Sequence, residues 1–432
     1  MSVEPLLPVE LGPGRIRYAQ GMKAGRWVFA TGIMAQDYGH GLSSNVLAEN
    51  APHAGLPKRE KEAALIFEHL QRVLDAGGTT IENVVRTDQY YTTVEAVPPY
   101  QAQRHQVLKS IIPPSTSIVQ THLGLPGADI NLQAIGAVPS DGFTPEHLRH
   151  DHIKAMNTSG YSPALTVGDY VFIPGCTAMS MADEPQRNGV AAAARMPEGM
   201  QWGGQPIKLE TDFIVTERLV PSLALAGATL NDVAKAQVYL TDPRDYSAFN
   251  EAWRKHFHDS GPALTVVSCA PRALAPYDGH IEINILALKT GAGTERQEID
   301  AGIVPGLRDQ AQAVRVGDLL LISGLMATDR YGALADGCGT DPRQPFYGSS
   351  AERQAERIVD HVEALCEAAG TSLSNAVRIQ QFHTDISEIY DVYKVCERRL
   401  DGAPVPFGAV EVPTPLAVPG ASVLMDVWVY AP

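Results

Sequence analysis

The chain has 432 residues, of which 44% are hydrophobic and 19% charged, a balance typical of folded globular protein. Its formal net charge of −15 argues against nucleic-acid binding, which requires surface stripes of lysine and arginine. The five cysteines form no CxxC pair and are odd in number, so we expect reduced thiols rather than a disulfide framework.

The first third of the chain has a clear pattern of secondary structure. A β-rich run at 27–31 ends in Gly32, and apolar residues at helical spacing then predict a helix over 60–76, which a pair of glycines ends. The remaining predicted elements are a strand at 84–93, a helix that Pro98 and Pro99 start and that continues to 110, and closing strands at 117–122 and 130–137.

This pattern occurs three times along the chain. AGRWVFATG at 24–32 returns as VGDYVFIPG at 167–175 and as VGDLLLISG at 316–324, at separations close to a third of the chain. A second phrase follows each of them, reading AGGTTIENVV, AGATLNDVA and AGTSLSNAV. A period this long indicates one small domain copied twice rather than a solenoid. We assign the repeats to residues 1–140, 150–290 and 300–432.

The second copy departs from the pattern at Pro221, which falls inside its first helix and should interrupt it.

No phosphate-binding glycine loop is present, and HLRHDH at 147–152 lacks the spacing of a zinc site. We therefore expect neither a metal nor another cofactor. No signal-like start and no stretch of about 18 uncharged apolar residues occurs, so a cytoplasmic protein without membrane contact is expected.

The repeated phrases resemble the RidA/YjgF/UK114 family, also called endoribonuclease L-PSP. Further matches are TDPRDYSAFNEAW at 241–253 and GHIEINILAL at 279–288. The resemblance implies an α+β, chorismate-mutase-like fold, with three units around a central β-barrel, helices outside and ligand sites in the clefts between units. Three fused copies would form an intramolecular pseudo-trimer, either monomeric or assembled into a higher homo-oligomer.

The best-known chemistry of the family is hydrolysis of reactive enamines and imines to ketoacids and ammonia, which implies a small-molecule substrate. The family holds the substrate carboxylate with an arginine at the start of the fifth strand. In this chain that position is occupied by Ser115, Leu264 and Phe407, so the arginine is missing from all three copies. The candidates for a replacement cation are Arg315, Arg272 and Lys235.

The other family positions survive only in some copies. The family tyrosine before the hairpin is present in two copies, and the hydroxyl residue before the hairpin glycine is also present in two. The asparagine of the second helix is present in one. One strand step after the acidic position of the last strand, polar residues stand in all three copies. The predicted substrate-binding residues are accordingly Tyr18, Thr31, Ser115, Tyr161, Asn250, Asn284, Ser323 and Asp426.

Glu282 is the predicted catalytic residue. It alone keeps the acidic position, where the other copies have Asn131 and Leu424, and it lies in the largely apolar run HIEINILAL. Burial there should raise its pKa and suit it to proton transfer. The alternative interpretation is a structural carboxylate that faces a polar barrel interior.

Two functions fit these observations. The first is an enzyme that adds water to a reactive enamine, imine or unsaturated intermediate in a cleft between repeats, as a hydrolase or deaminase without the family arginine. The second is a non-catalytic metabolite-binding or regulatory protein, because loss of the arginine in every copy is what decay of an ancestral activity would produce. The chorismatases are hydrolases on a related scaffold, but no motif here indicates chorismate.

Overall fold

The computed structural model describes residues 3–12, 16–47, 57–109, 111–150, 160–180, 189–197, 199–200, 202–257, 261–305 and 310–432. These residues form three successive units, each with one mixed β-sheet and helices against one of its faces. Asp151 and His152 of the histidine-rich segment lie outside the described residues. The five cysteines are buried and free, as expected.

The first unit has the predicted order of hairpin, helix, strand, helix and closing strands, preceded by one additional strand. Its strands are β1 (Glu4–Leu11), β2 (Ile16–Ala24), β3 (Trp27–Ile33), β4 (Gln36–Asp37), β5 (Gly41–Leu42), β6 (Val84–Tyr91), β7 (Ser115–Val119), β8 (His122–Leu123) and β9 (Ile130–Ala137). Its helices are α1 (Ser44–Leu47), α2 (Lys58–Gly77) and α3 (Val97–Leu108). Helix α2 ends at Gly78, whose φ of 79° is a left-handed conformation that glycine adopts without strain.

The second unit repeats this order with an interrupted first helix. Its strands are β10 (Glu146–Leu148), β11 (Ala164–Val167), β12 (Tyr170–Thr177), β13 (Val233–Leu240), β14 (Ala263–Ser268) and β15 (Ile281–Leu288), and its helices are α4 (Gln205–Ile214), α5 (Val220–Leu225) and α6 (Tyr246–His256). A π-helical turn, Val215–Leu219, separates α4 from α5 just before Pro221. Proline lacks an N–H and crowds the carbonyl one turn earlier, and the wider turn accommodates it, which confirms the expected interruption.

The third unit is built in the same way. Its strands are β16 (Arg296–Ile299), β17 (Ala313–Val316), β18 (Leu319–Ile322), β19 (Ala376–His383), β20 (Phe407–Glu411) and β21 (Val423–Tyr430), and its helices are α7 (Ser350–Ala368) and α8 (Ile389–Arg399). Helix α7 buries Ile358, Val362 and Leu365, the apolar face that helical spacing predicts. Ser349 caps its N-terminus by accepting a hydrogen bond from Glu352 N at 3.2 Å.

Each sheet has the same strand order. The orders are β1-β2-β3-β9-β6-β7, β10-β11-β12-β15-β13-β14 and β16-β17-β18-β21-β19-β20-β8, so β8 of the first unit joins the sheet of the third. The pairs β6–β7, β13–β14 and β19–β20 are parallel, and the other ladders are antiparallel. A parallel pair requires a long crossover connection, which α3, α6 and α8 supply. The second strand of the parallel pair and its preceding helix therefore lie together in each unit.

The closed barrel implied by the resemblance is not formed by the described strands. They make three separate large sheets and one two-stranded pair. Isolated bridges link one unit to the next beside the parallel strand pairs, at Tyr18–Val405, Ile112–Tyr161 and Ala263–Ala311, and the two-residue ladder between β8 and β20 also joins the first and third units. One bridge does not continue a hydrogen-bonded ladder, so neighbouring sheets separate next to it and leave clefts between the units.

The inner faces of the sheets meet in layers to which each unit contributes one residue. Alternate residues of a strand point to the same face, and on β6, β13 and β19 these residues are large and buried. The layers are Arg86, Lys235 and Arg378; then Asp88, Gln237 and Gln380; then Tyr90, Tyr239 and Phe382. Hydrogen bonds cross between units within and between these layers, for example Tyr90 Oη to Tyr239 Oη at 2.8 Å.

Asp426 and Asp88 are the counter-charges of the three central cations. Asp426 lies 2.9 Å from Lys235 Nζ and accepts hydrogen bonds from Thr265 Oγ1 at 2.6 Å and Gln237 Nε2 at 3.0 Å. Burial opposes ionisation of this carboxyl, but the charges of Lys235 and Arg378 outweigh it and lower the pKa of Asp426 to about 2. Asp426 therefore belongs to the structural centre and not to a ligand cleft.

Candidate active site

A cavity of about 290 Å³ lies in the cleft between the first and second units. Helix α3 and the edge strand β7 of the first unit form one wall, and β12 and β15 of the second unit form the other. Three predicted residues, Ser115, Tyr161 and Glu282, line this one cavity. The structure thus brings together the catalytic candidate and two of the expected substrate contacts.

Glu282 lies on β15 opposite Tyr239 of β13, with only 6% of its surface exposed. Burial raises the pKa of its carboxyl from the ordinary 4.5 to about 8, against a hydrogen bond from the Ser117 backbone, and the nearby Asp88 charge adds to the rise. Glu282 is therefore mostly protonated at neutral pH. A buried carboxylic acid at the wall of a cavity is suited to donate a proton.

Gly175, at the end of the second hairpin phrase, makes room for this carboxyl. A Cβ on Gly175 would overlap Oε1 of Glu282 and lie 2.8 Å from its Cδ. The absence of a side chain at this position therefore sets where the acid group of Glu282 lies. Glycine stands at this position in all three copies, and in the second copy it accommodates the Glu282 carboxyl.

We expect Gly175→Ala to displace the Glu282 carboxyl into the cavity. Greater contact with water would then lower the pKa of Glu282 from about 8 toward 4.5. Titration of the glutamate Cδ resonances by NMR measures this shift, with the Glu282→Gln spectrum identifying the resonance. Gly203→Ala is the matched control, because a Cβ there meets no atom within 4 Å. An unshifted Glu282 titration in Gly175→Ala would contradict the assigned role of Gly175.

Arg104 lines this cavity and was not among the residues predicted from the sequence. It lies on α3, is 1% exposed, and lines the same cavity as Glu282. Its Nη1 donates to Ser115 Oγ at 3.0 Å, and its guanidinium stands 5.9 Å from the ring centroid of Tyr100. Ser115 also donates to Gln89 Oε1 at 2.9 Å, which fixes the hydroxyl beside the guanidinium. A guanidinium thus reaches the strand position of the family arginine from the neighbouring helix.

A comparison of the copies contains the signal for Arg104. Three residues after the second-helix positions Gln101, Asn250 and Tyr393 stand Arg104, Trp253 and Cys396, all of them buried. An arginine among apolar equivalents on a buried helix face indicates a function, because burial of an unneeded charge is costly. This substitution is specific to the first copy.

The three cations proposed from the sequence lie elsewhere. Lys235 is in the central layer beside Asp426, and Arg272 is exposed. Arg315 donates to the backbone carbonyls of Ala369 at 3.1 Å and Ala431 at 2.9 Å, so it anchors the end of the chain. None of these three residues lines the cavity that contains Glu282.

The remaining predicted site residues are dispersed. Thr31 Oγ1 donates to Ala19 O at 3.0 Å, and Ser323 Oγ donates to Ala311 O at 2.6 Å, so both hydroxyls stabilise hairpins. Asn284 Nδ2 donates to Thr116 Oγ1 at 3.0 Å inside the protein. Asn250 is half-buried on α6 and lines neither of the two cavities described in this article.

Tyr18 lines a second cavity, between the first and third units.

In the histidine-rich segment, His147 Nδ1 lies 2.9 Å from Ser162 Oγ. Within the described residues, no three His, Cys, Asp or Glu side chains group together as metal ligands would. No described helix combines the length and the apolar character needed to cross a bilayer.

The fold and the cavity define a three-unit α+β protein with a ligand-sized cleft between two units. A family model described as endoribonuclease L-PSP matches residues 210–289 and 308–430, in the second and third units. A RutC family protein of Pyrococcus abyssi is 30% identical over 129 residues, which cover 30% of this chain and 86% of the relative. The chain therefore belongs to the RidA/RutC family.

Other similar proteins include TdcF of Escherichia coli (strain K12), provisionally named a reactive intermediate deaminase. It is 24% identical over 102 residues, which cover 23% of this chain and 79% of TdcF. Among solved structures, the alignment with a chorismatase covers 81% of this chain and 93% of the chorismatase chain, with 14% identity and a TM-score of 0.49. RidA from Psychrobacter sp. PAMC 21119 covers 31% of this chain and 98% of its own, with 27% identity and a TM-score of 0.25.

Proposed function

We propose that the chain is a RidA-like hydrolase or deaminase that adds water to a small reactive enamine or imine bearing an anionic group. The observation that carries this proposal is the joint presence of Glu282 and Arg104 on one cavity of about 290 Å³. One residue offers a proton and the other a fixed positive charge. Membership of the RidA/RutC family and the name of the relative TdcF support the same class of reaction.

In the proposed reaction, Glu282 donates its proton to the enamine carbon and converts the substrate to an iminium ion. Water then attacks the iminium carbon, and one of its protons passes to the nitrogen, so that the carbon–nitrogen bond breaks with release of ammonia and leaves a carbonyl product. An imine substrate follows the same course after Glu282 protonates its nitrogen. A proton from the attacking water returns to Glu282, so the enzyme is unchanged. Because the pKa of Glu282 is about 8, the group is mostly protonated at neutral pH and is weak enough to regain its proton.

Arg104 is proposed to bind the anionic group of the substrate. A guanidinium presents a fork of N–H donors that matches a carboxylate, and burial strengthens such a pair by excluding water. Ser115, held by Gln89, stands beside it as an additional hydrogen-bonding group. The usual chemistry of the family is thereby retained with the cation supplied from α3. A cavity of about 150 Å³ holds one benzene ring, so this cleft fits a small metabolite and excludes a polymer.

The experiment that tests this function uses imino acids released in situ by an amino-acid oxidase. Ketoacid formation in competition with semicarbazide, which captures free imino acid, reports the turnover. We expect the wild-type chain to accelerate ketoacid formation and to suppress semicarbazone. Failure to do so with any imino acid, combined with saturable binding of its stable ketoacid product, would favour the metabolite-binding alternative.

Arg104→Met is expected to raise KM at least tenfold for a carboxylate-bearing substrate, because loss of a buried charged hydrogen bond costs about 1.5–3 kcal/mol. Arg104→Lys should recover part of the loss by restoring the charge without the planar fork. Arg343→Met is the matched control, since Arg343 is exposed and pairs with Asp341. An unchanged KM in Arg104→Met would exclude Arg104 as the anion-binding residue.

We further infer that the repeats at 1–140, 150–290 and 300–432 act as an intramolecular pseudo-trimer. Each unit has the same strand order, and each places one residue in every central layer. Fusion allows the clefts to differ, and at the second-helix position of Arg104 the other two copies have Trp253 and Cys396. The active assembly would then need one chain, whether monomeric or part of a larger homo-oligomer.

A further inference from the structure

The second cavity, of about 200 Å³, lies between the first and third units. The hairpin of the first unit forms one wall, and α8 and β20 of the third unit form the other. It is therefore built from the same elements as the Glu282 cavity, shifted by one unit around the molecule. Among the residues that the structure describes, none that lines it is Asp, Glu, Lys or Arg.

Aromatic rings form much of this second cavity. The ring centroid of Phe407 lies 5.9 Å from that of Tyr18 and 5.9 Å from that of Tyr393. Tyr390 continues the row, stacked on Tyr393 at 6.3 Å, and is 47% exposed at the rim. Rings at these spacings offer flat apolar surfaces on which another ring can pack.

Few polar groups accompany these rings. The hydroxyl of Tyr18 is buried and makes no hydrogen bond of normal geometry with another described residue, although the Gln36 amide lies near it. Behind Gly32, the Asn131 side chain is fully buried, and neither its oxygen nor its nitrogen has a partner among the described residues. Buried polar groups are normally paired, so such groups indicate that a ligand or water completes them.

The two cavities differ in charge at matched positions. Asn131 lies opposite Tyr90 in the first sheet, as Glu282 lies opposite Tyr239 in the second. Phe407 begins β20 at the position that Ser115 holds on β7. A neutral amide thus stands at the position of the acid, behind Gly32, and the aromatic ring of Phe407 lines the second cavity at the position of the hydroxyl.

We propose that the second cavity binds an uncharged, flat ring that carries one hydrogen-bonding group, a class of ligand different from the anionic substrate of the first cavity. A volume of about 200 Å³ accommodates one substituted six-membered ring, because about 150 Å³ suffices for benzene. The ring packs among Tyr18, Tyr393 and Phe407, and its polar substituent pairs with the hydroxyl of Tyr18. A charged ligand is disfavoured because the described residues that line the site offer it no opposite charge.

The test measures binding of benzamide and its anionic isostere benzoate by saturation-transfer NMR and calorimetry. Gly124→Val fills the second cavity, since Gly124 lines it and an added Cβ would already lie 3.2 Å from Ile389 Cδ1. We expect this variant to weaken benzamide binding at least tenfold and to leave benzoate binding unchanged. Equal benzamide affinity in the wild type and the variant, or an equal loss for both probes, would overturn the proposal.

Tyr18→Phe provides a second test that does not alter the shape of the cavity. Loss of one hydrogen bond should weaken benzamide binding about threefold to tenfold and leave toluene binding unchanged. Tyr161→Phe, the equivalent change in the first cavity, is the matched control and should have no effect on benzamide. Benzamide binding that responds to Tyr161→Phe and not to Tyr18→Phe would contradict the assignment. These measurements involve no turnover, so their result is independent of the proposed reaction.

Discussion

Glutamine in place of Glu282 is expected to abolish turnover and at the same time to stabilise the fold above pH 8. Glutamine keeps the size of the side chain but cannot donate an acidic proton, so the proposed protonation of the substrate is lost. We expect a fall in kcat of at least a hundredfold, the usual contribution of a general acid. The wild-type rate should also decline as pH rises through about 8, where Glu282 loses its proton.

The stability change follows from the raised pKa of Glu282. Below pH 4.5 the group is protonated in both folded and unfolded chains, so it does not change the free energy of unfolding. Between pH 4.5 and 8 the unfolded chain releases the proton and the folded chain retains it, so the wild type loses stability as pH rises. The loss is complete above about pH 8, and a shift of this size corresponds to roughly 2–5 kcal/mol.

Urea unfolding of wild type and Glu282→Gln at pH 5 and pH 8.5 measures this difference. The variant should gain stability relative to the wild type mainly at the higher pH. Glu298→Gln is the control, because Glu298 is an exposed glutamate whose replacement should change the free energy of unfolding little at either pH. Full activity in Glu282→Gln would contradict the proposed mechanism. The same difference in free energy of unfolding between variant and wild type at both pH values would exclude the raised pKa.

Asp426→Asn is expected to destabilise the protein by about 3–5 kcal/mol, the usual cost of leaving a buried charge without its partner. Lys235 and Asp426 are both 0% exposed, and Arg378 and Arg86 add positive charge nearby. Asparagine keeps the shape of the side chain and removes one of the two negative charges in the central layers. Denaturant unfolding at neutral pH measures the loss.

Acid should reduce the difference between wild type and Asp426→Asn. The folded pKa of Asp426, about 2, is below the ordinary 3.8, so its stabilisation is present above pH 3.8 and disappears as pH falls through 2. The double variant Lys235→Met with Asp426→Asn removes the stranded cation as well and should recover at least about 1 kcal/mol. No recovery in the double variant would show that the loss has a cause other than this charge pair.

Much of the fold follows from local patterns in the sequence. The spacing of apolar residues predicted α2 and α7, and Pro221 predicted the interruption between α4 and α5. Glu282 stood out as a carboxylate in an apolar strand, and its burial and raised pKa agree with that interpretation. These features depend on neighbours along one helix or strand, and such neighbours are visible in the sequence.

The partners of Glu282 could not be derived in the same way. Ser115 and Tyr161 share its cavity, whereas Thr31, Ser323 and Asp426, which were predicted from positions matched to the family, lie in hairpins or in the centre. The resemblance also implied a closed barrel, but the described strands end in separate sheets. Which copies meet across a cleft depends on contacts between units far apart in the chain.

By itself the sequence determined a threefold α+β chain whose copies agree in glycines and apolar faces and differ in polar residues. Only the tertiary structure decided which differences act together. It placed Arg104 of the first copy and Glu282 of the second, 178 positions later in the chain, on the wall of one cavity. This is so because burial and pKa depend on everything packed around a group, and the surroundings of Glu282 include Ser117 and Asp88 of another unit.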